Sequence, residues 1–358
     1  MATLVTGGTG FVGSNIVRTL AQLGHRVVCF DLVPPNELLT RYIQPWADKV
    51  TFLQGDILAP GDLEQAEDHD IDKIVHAAVF TGVLPEVEAS RSRSIVDINV
   101  MGTTNLLELA RRIIPQRFLY VSSGSVYGDR PDQEEVLRED ADLHPHTLYE
   151  STKYVSELLT RRFGEMHGFP TVATRLSSPY GPMERVTGHR ANQSVVKDLT
   201  GRVVRGESIA VSDRTLGRDF TYVADIASGI CSVLDAANPS HFAYNISAGR
   251  WLSVGDILDA LQELRPGMQV AEASPGDAND ISYGGSRSRM DVSRLRDDIG
   301  FTAEHDLAAG LNAYLEWREE YSFRDQARGF HLSYRYTKTP CLIDDPSLMT
   351  HRRWCHRV

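Results

Sequence analysis

Short apolar runs alternate with longer amphipathic stretches through the first half of the chain. Residues 3–6 (TLVT), 27–30 (VVCF), 50–53, 73–78 (KIVHAA), 118–121 (FLYV) and 171–176 (TVATRL) read as buried strands. Between them, residues 11–23, 95–113 and 148–166 carry apolar side chains at helical spacing. Strand and helix in this alternation predict an α/β fold, a Rossmann-type doubly wound parallel sheet with helices on both faces. Such sheets bind ligands beyond the carboxyl ends of their strands, so chemistry is expected there.

The pattern loosens after about residue 177, where Pro, Gly and Arg become frequent. Helices are expected near 189–200, 225–236, 254–264 and 306–320, with short strands between. This predicts a Rossmann domain over 1–177 and a smaller C-terminal substrate lobe over 178–323, interleaved with the first domain near 205–235. From Arg324 the periodicity stops. The basic, His- and Arg-rich tail 324–358 reads as a disordered or loosely docked appendage.

Composition narrows the function. Of 358 residues, 42% are hydrophobic and 24% charged, which is ordinary for a globular protein with a large core. A net charge of -11 argues against coating nucleic acid or an anionic membrane. Cysteines at 29, 231, 341 and 355 have no metal-ligand spacing, so no metal is expected and the thiols read as free or buried. No apolar run reaches the roughly 18 residues of a membrane span. A strand begins at once and leaves no room for a signal peptide, so a cytoplasmic protein is expected.

Two local motifs carry chemistry. Gly7, Gly10 and Gly13 stand in TGGTGFVG between the first strand and the first helix. The first glycine permits a tight turn, the second a close backbone approach to a pyrophosphate, and the third close packing of helix on strand. The helix then offers its open N–H groups to the anion. Asp31, directly after the second strand, suits the ribose hydroxyls of NAD and repels the 2′-phosphate of NADP, or else it forms a turn before Pro34 and Pro35. Asp56 in QGDI could hold the adenine or cap a helix. In YESTK, Tyr149 and Lys153 lie at i and i+4 and share a helix face. An ammonium beside a phenol stabilises the phenolate, which can accept a proton from an alcohol. The fifth strand ends in Ser122, Ser123, Gly124 and Ser125, and spacing alone does not choose among the serines as a partner for a substrate oxygen.

TGGTGFVG, Asp31, GDI, HAA, NVMGT (99–103), VSSGSVYG, YESTK and RDFTYV form one ordered set. The set resembles the NAD-dependent epimerase/dehydratase family of extended short-chain dehydrogenases/reductases, particularly its UDP-galactose 4-epimerase-like members, over about residues 1–320. The resemblance implies Tyr149 as acid/base, Lys153 as its partner and Ser123 as the catalytic hydroxyl. It implies NAD contacts from Gly7, Gly10, Phe11, Val12, Gly13, Asp31, Asp56, Ile57, Ala77, Ala78, Asn99, Tyr149 and Lys153. Substrate contacts fall on Ser123, Ser125, Ser178 and Arg218. It also implies a homodimer built on helices about 91–112 and 147–168.

Departures bear on the reaction. Sugar-nucleotide dehydratases of the family carry Thr-Asp-Glu where this chain has Ser123-Gly124-Ser125, so water elimination is not expected. Ser178 stands where the family's Asn contacts the substrate diphosphate, and Ser274 where a second phosphate-binding Arg is expected, ahead of Pro275-Gly276-Asp277. Arg218 is retained, and Arg287 or Arg289 is a candidate substitute. The expected activity is oxidation and re-reduction of a secondary hydroxyl of a carbohydrate-like substrate, as in an epimerase. Net dehydrogenation of a non-nucleotide sugar, sugar acid or other secondary alcohol is the alternative. A non-enzymatic NAD-binding protein fits less well, because such proteins commonly lose the tyrosine or lysine that this chain keeps.

Overall fold

A computed structural model describes residues 1–81, 84–185, 187, 193–274 and 285–325. Seven parallel strands form the central sheet: β1 (Ala2–Thr6), β2 (Val27–Asp31), β3 (Val50–Gln54), β4 (Ile71–His76), β5 (Arg117–Ser123), β6 (Thr171–Leu176) and β7 (Ala243–Ile246). Their order across the sheet is β3-β2-β1-β4-β5-β6-β7. The order reverses between β1 and β4, which opens a crevice at their carboxyl ends. β1, β5 and the second half of β4 are buried, as continuous apolar runs in a sheet covered on both faces should be.

The longer helices among the described residues are α1 (Phe11–Gln22), α2 (Pro85–Val96), α3 (Gly102–Ile113), α4 (Leu148–His167), α5 (Val195–Arg205), α6 (Val223–Asp235), α7 (Val254–Leu264) and α8 (Leu307–Asp325). One core joins α1 and α6 to the sheet through Ile16, Leu20, Val75, Leu119, Ile226 and Ile230. The other face buries Leu4, Phe30, Ile74, Leu106, Phe118 and Tyr120. A separate core made of Val196, Leu199, Ile257, Leu261, Leu311 and Tyr314 holds α5, α7 and α8 together.

Several elements differ from the sequence reading, among them the helix expected at 189–200, which runs over Val195–Arg205. The helix expected from residue 95 begins at Pro85, and a π turn over Asp97–Met101 joins α2 to α3. The chain also returns to the sheet late, as β7, whose four residues pair with Ala173–Leu176. Most of the expected tail, residues 326–358, lies outside the described residues. So do residues 189–192 of the helix expected at 189–200, and Pro275-Gly276-Asp277.

Candidate active site

The glycine loop closes on β4 as the spacing requires. Gly7 has φ +70°, and a Cβ there would stand 2.6 Å from Ala78 Cα. A Cβ on Gly13 would collide with the Gly7 carbonyl. The loop is tied to both neighbouring strands, since Gly7 N–H donates to Phe30 O at 2.9 Å and Ala77 N–H to Thr6 O at 3.1 Å. Gly10 is the N-cap of α1, and among the described residues no side chain caps it, so the helix end is presented to an anion. Asp31 ends β2 half-buried and accepts from Thr9 N at 3.0 Å and Val33 N at 3.1 Å. Ala77 and Ala78 stand against Gly7, and Ile57 is buried in the core that Ala78 packs against. Asp56 accepts from Leu58 N at 2.8 Å, so its carboxylate also shapes a turn.

Asn99 lies in the π turn, and its carboxamide grips the backbone beyond β4. Its Oδ1 accepts from Phe80 N at 2.7 Å, while its Nδ2 donates to Phe80 O at 3.1 Å and to Thr152 Oγ1 at 3.0 Å. It therefore fastens the loop after β4 to the helix that bears Tyr149. That coupling carries no local sequence signal.

α4 brings Tyr149 and Lys153 against the end of β5. Its first turn is fixed by a capping box, in which Thr147 Oγ1 accepts from Glu150 N and the Glu150 carboxylate accepts from Thr147 N. Glu88 of α2 accepts from Leu148 N at 2.5 Å, adjacent in sequence to Tyr149. Tyr149 is 9% exposed and Lys153 3%. Lys153 Nζ donates to Val121 O at 2.8 Å, two residues before Ser123, and lies 4.8 Å from the Tyr120 ring centre. Burial pushes the ammonium down to about 7, against the pull of the Glu157 carboxylate one turn further on. Glu157 in turn takes Ser122 Oγ at 2.5 Å and a two-pronged bond from Arg175, at 3.0 and 2.8 Å.

Ser123 Oγ accepts from Ser125 N at 3.2 Å and from Ser125 Oγ at 2.9 Å. With both acceptor directions engaged, the Ser123 hydroxyl keeps its own proton to donate outward. A pocket opens here, lined by Ser123, Ser125, Ser177, Ser178 and Ser288, with Arg130, Arg287 and Asp219. Hydroxyls and guanidiniums suit a polyhydroxylated, anionic ligand. Arg287 also approaches Glu150 at 3.6 Å, so it faces the start of the catalytic helix. Arg218 lies on the short strand Gly217–Arg218 beside Asp219, and its guanidinium donates to Gly285 O at 3.1 and 2.9 Å. Sequence reasoning missed Asp219, Arg130 and Glu157. Asp219 was visible inside RDFTYV, but nothing local marks it as a pocket residue. Burial holds its carboxyl up at about 6, although Ser247 Oγ, Met290 N and Thr221 Oγ1 all donate to it.

The fold, the glycine loop and the Tyr-Lys pair together define an oxidoreductase-type dinucleotide-binding enzyme. Residues 3–247 match the NAD dependent epimerase/dehydratase family, and the chain belongs to that family. It is 27% identical to Protein CapI of Staphylococcus aureus over 348 residues, covering 90% of this chain and 99% of that one. It is 29% identical to a putative UDP-glucose 4-epimerase of Methanocaldococcus jannaschii, covering 88% of this chain and 97% of that protein. Among solved structures, MoeE5 in complex with UDP-glucuronic acid and NAD superposes with a TM-score of 0.72 at 26% identity, over 89% of this chain and 99% of MoeE5. The cofactor is NAD. The cradle fits it, since a side chain at Gly7 or Gly13 would fill the space against Ala78 or the turn, and the open end of α1 supplies N–H donors to a diphosphate.

No helix among the described residues is long and apolar enough to cross a membrane.

Proposed function

We propose that the protein epimerises a ring hydroxyl carbon of a nucleotide-linked sugar. The observation that carries this reading is Gly124. A Cβ there would collide with the Met290 side chain and stand 3.0 Å from the Leu176 carbonyl oxygen. Gly124 stands where dehydratases of this family carry the acid between their Thr and Glu, and a side chain there would have to displace the end of Met290 and press on the Leu176 carbonyl. What remains is the minimum for reversible oxidation. Bound NAD supplies a hydride acceptor. Tyr149 accepts the hydroxyl proton and later returns one, Lys153 stabilises the phenolate, and Ser123 donates to the substrate oxygen.

Relatives support a nucleotide-linked substrate, among them UDP-glucuronate 4-epimerase 6 of Arabidopsis thaliana, 28% identical over 88% of this chain and 71% of that protein. With Ser178 and Ser274 in place of the amide and guanidinium expected from the family, the diphosphate is held by other groups, the retained Arg218 and Arg287, which lines the pocket, being the candidates. Incubation with UDP-hexoses and UDP-hexuronic acids, followed by NMR of the product, tests the proposal. A changed configuration at one carbon with no net NADH is expected. Accumulating NADH would favour a net dehydrogenase, and loss of water would favour a dehydratase; either result overturns the reading.

A further inference from the structure

We propose that Arg185 is a cofactor-binding residue, reaching across to the phosphate loop and placing its positive charge beside the diphosphate of NAD. Its Nη2 donates to the Thr9 carbonyl at 2.7 Å. Thr9 stands between Gly8 and Gly10 in the loop, and its N–H donates to Asp31 Oδ2 at 3.0 Å. The loop's central residue is thus held on one side by a carboxylate and on the other by a guanidinium.

The segment that carries Arg185 is fastened to the N-terminal end of α1. Asn15 Nδ2 donates to both Phe11 O, at 2.9 Å, and Pro182 O, at 3.1 Å. Met183 is buried against Phe11, Leu39, Tyr42 and Val223. It adopts φ +70°, a backbone conformation that a non-glycine residue keeps only where its surroundings over-determine it. Glu184 accepts from Ser194 N and Ser194 Oγ, both at 2.7 Å. Arg185 therefore leaves a rigid anchor and ends at the loop. A dinucleotide brings two negative charges to a loop that already faces the Asp31 carboxylate, and a forked cation at Thr9 offsets that repulsion and can take a phosphate oxygen. The inference rests on the cofactor and is independent of the epimerase reading.

Calorimetry on the full chain stripped of cofactor tests it, with NAD, ADP-ribose and adenosine as probes. Arg185→Gln is expected to weaken NAD and ADP-ribose by about 10- to 100-fold, the scale of one charge-assisted hydrogen bond. Adenosine, which lacks the diphosphate, should bind as it does to wild type. Arg185→Lys, which keeps the charge and loses the fork, should fall between the two, and it serves as the readout if the Gln variant does not fold. Binding of NAD to either variant within about 2-fold of wild type overturns the proposal. So does an equal loss for adenosine, which would make Arg185 a support of the loop alone. A loss for UDP on the NAD-loaded enzyme with NAD affinity unchanged also overturns it, because the guanidinium would then serve the substrate's diphosphate.

Discussion

Tyr149 and Lys153 differ in what their removal should cost. Tyr149→Phe deletes only the proton-transfer oxygen, so turnover should fall by about 100- to 10,000-fold while NAD still binds. Rate assays with parallel cofactor titration check this, and a Phe variant near the wild-type rate would remove Tyr149 from the mechanism. Lys153 is buried, and its Nζ is held at Val121 O. Lys153→Met should therefore lower both rate and NAD affinity, which the same assays read. A loss of rate with affinity untouched would confine the lysine to proton transfer. These residues were legible because their spacing is local: four positions on one helix and three glycines on one turn. The groups that seat them were not. Arg175 reaches Glu157 from 18 residues away, and Asn99 reaches Thr152 from 53. Nothing in the run of sequence around either partner announces the contact.

Among the elements, strands of the buried sheet were read best, because continuous apolar runs bounded by turns have few other uses. The start of α2 was missed because its first turns carry Pro85, Glu86 and Glu88 and few apolar residues, and only Ile95 is buried over its whole length. β7 was missed because four residues give too short a period to distinguish a strand from a loop. Apolar side chains left uncovered on the two long helical elements bear on assembly. Val96 and Met101 are 37% and 48% exposed on the α2–α3 element, as are Val155, Leu158 and Met166, at 40–53%, on α4. Apolar residues exposed on elements that pack together would suit a contact with a second copy of the chain. Leu158→Arg should then give a monomer by light scattering in a sample where the wild type is a dimer. A wild-type monomer at the same concentration would dispose of the interface.

At the scale of the whole molecule, the sheet and the second lobe meet at Asp219. Its carboxylate receives Ser247 Oγ from the loop after β7, Met290 N from the short strand Arg289–Met290, and Thr221 Oγ1 from the short strand Phe220–Tyr222 that follows it. That convergence was beyond the sequence, which placed RDFTYV as a motif without showing what its aspartate joins. Burial is the largest influence on this group and raises it from 3.8 to about 6, with the three donors opposing. The sign of the consequence follows from linkage. Between those values the folded chain keeps a proton that the unfolded chain has released, so stability falls as pH rises through this window and is flat above about 6. Two pKa units correspond to about 3 kcal/mol. Asp219→Asn removes the titration, and any hydrogen bond it loses appears as an offset that does not vary with pH. The melting temperature of the wild type relative to Asp219→Asn should therefore decline from pH 4 to pH 6 and then level. A difference that stays constant from pH 4 to pH 7 would show that Asp219 is already ionised in acid and that its three donors outweigh its burial.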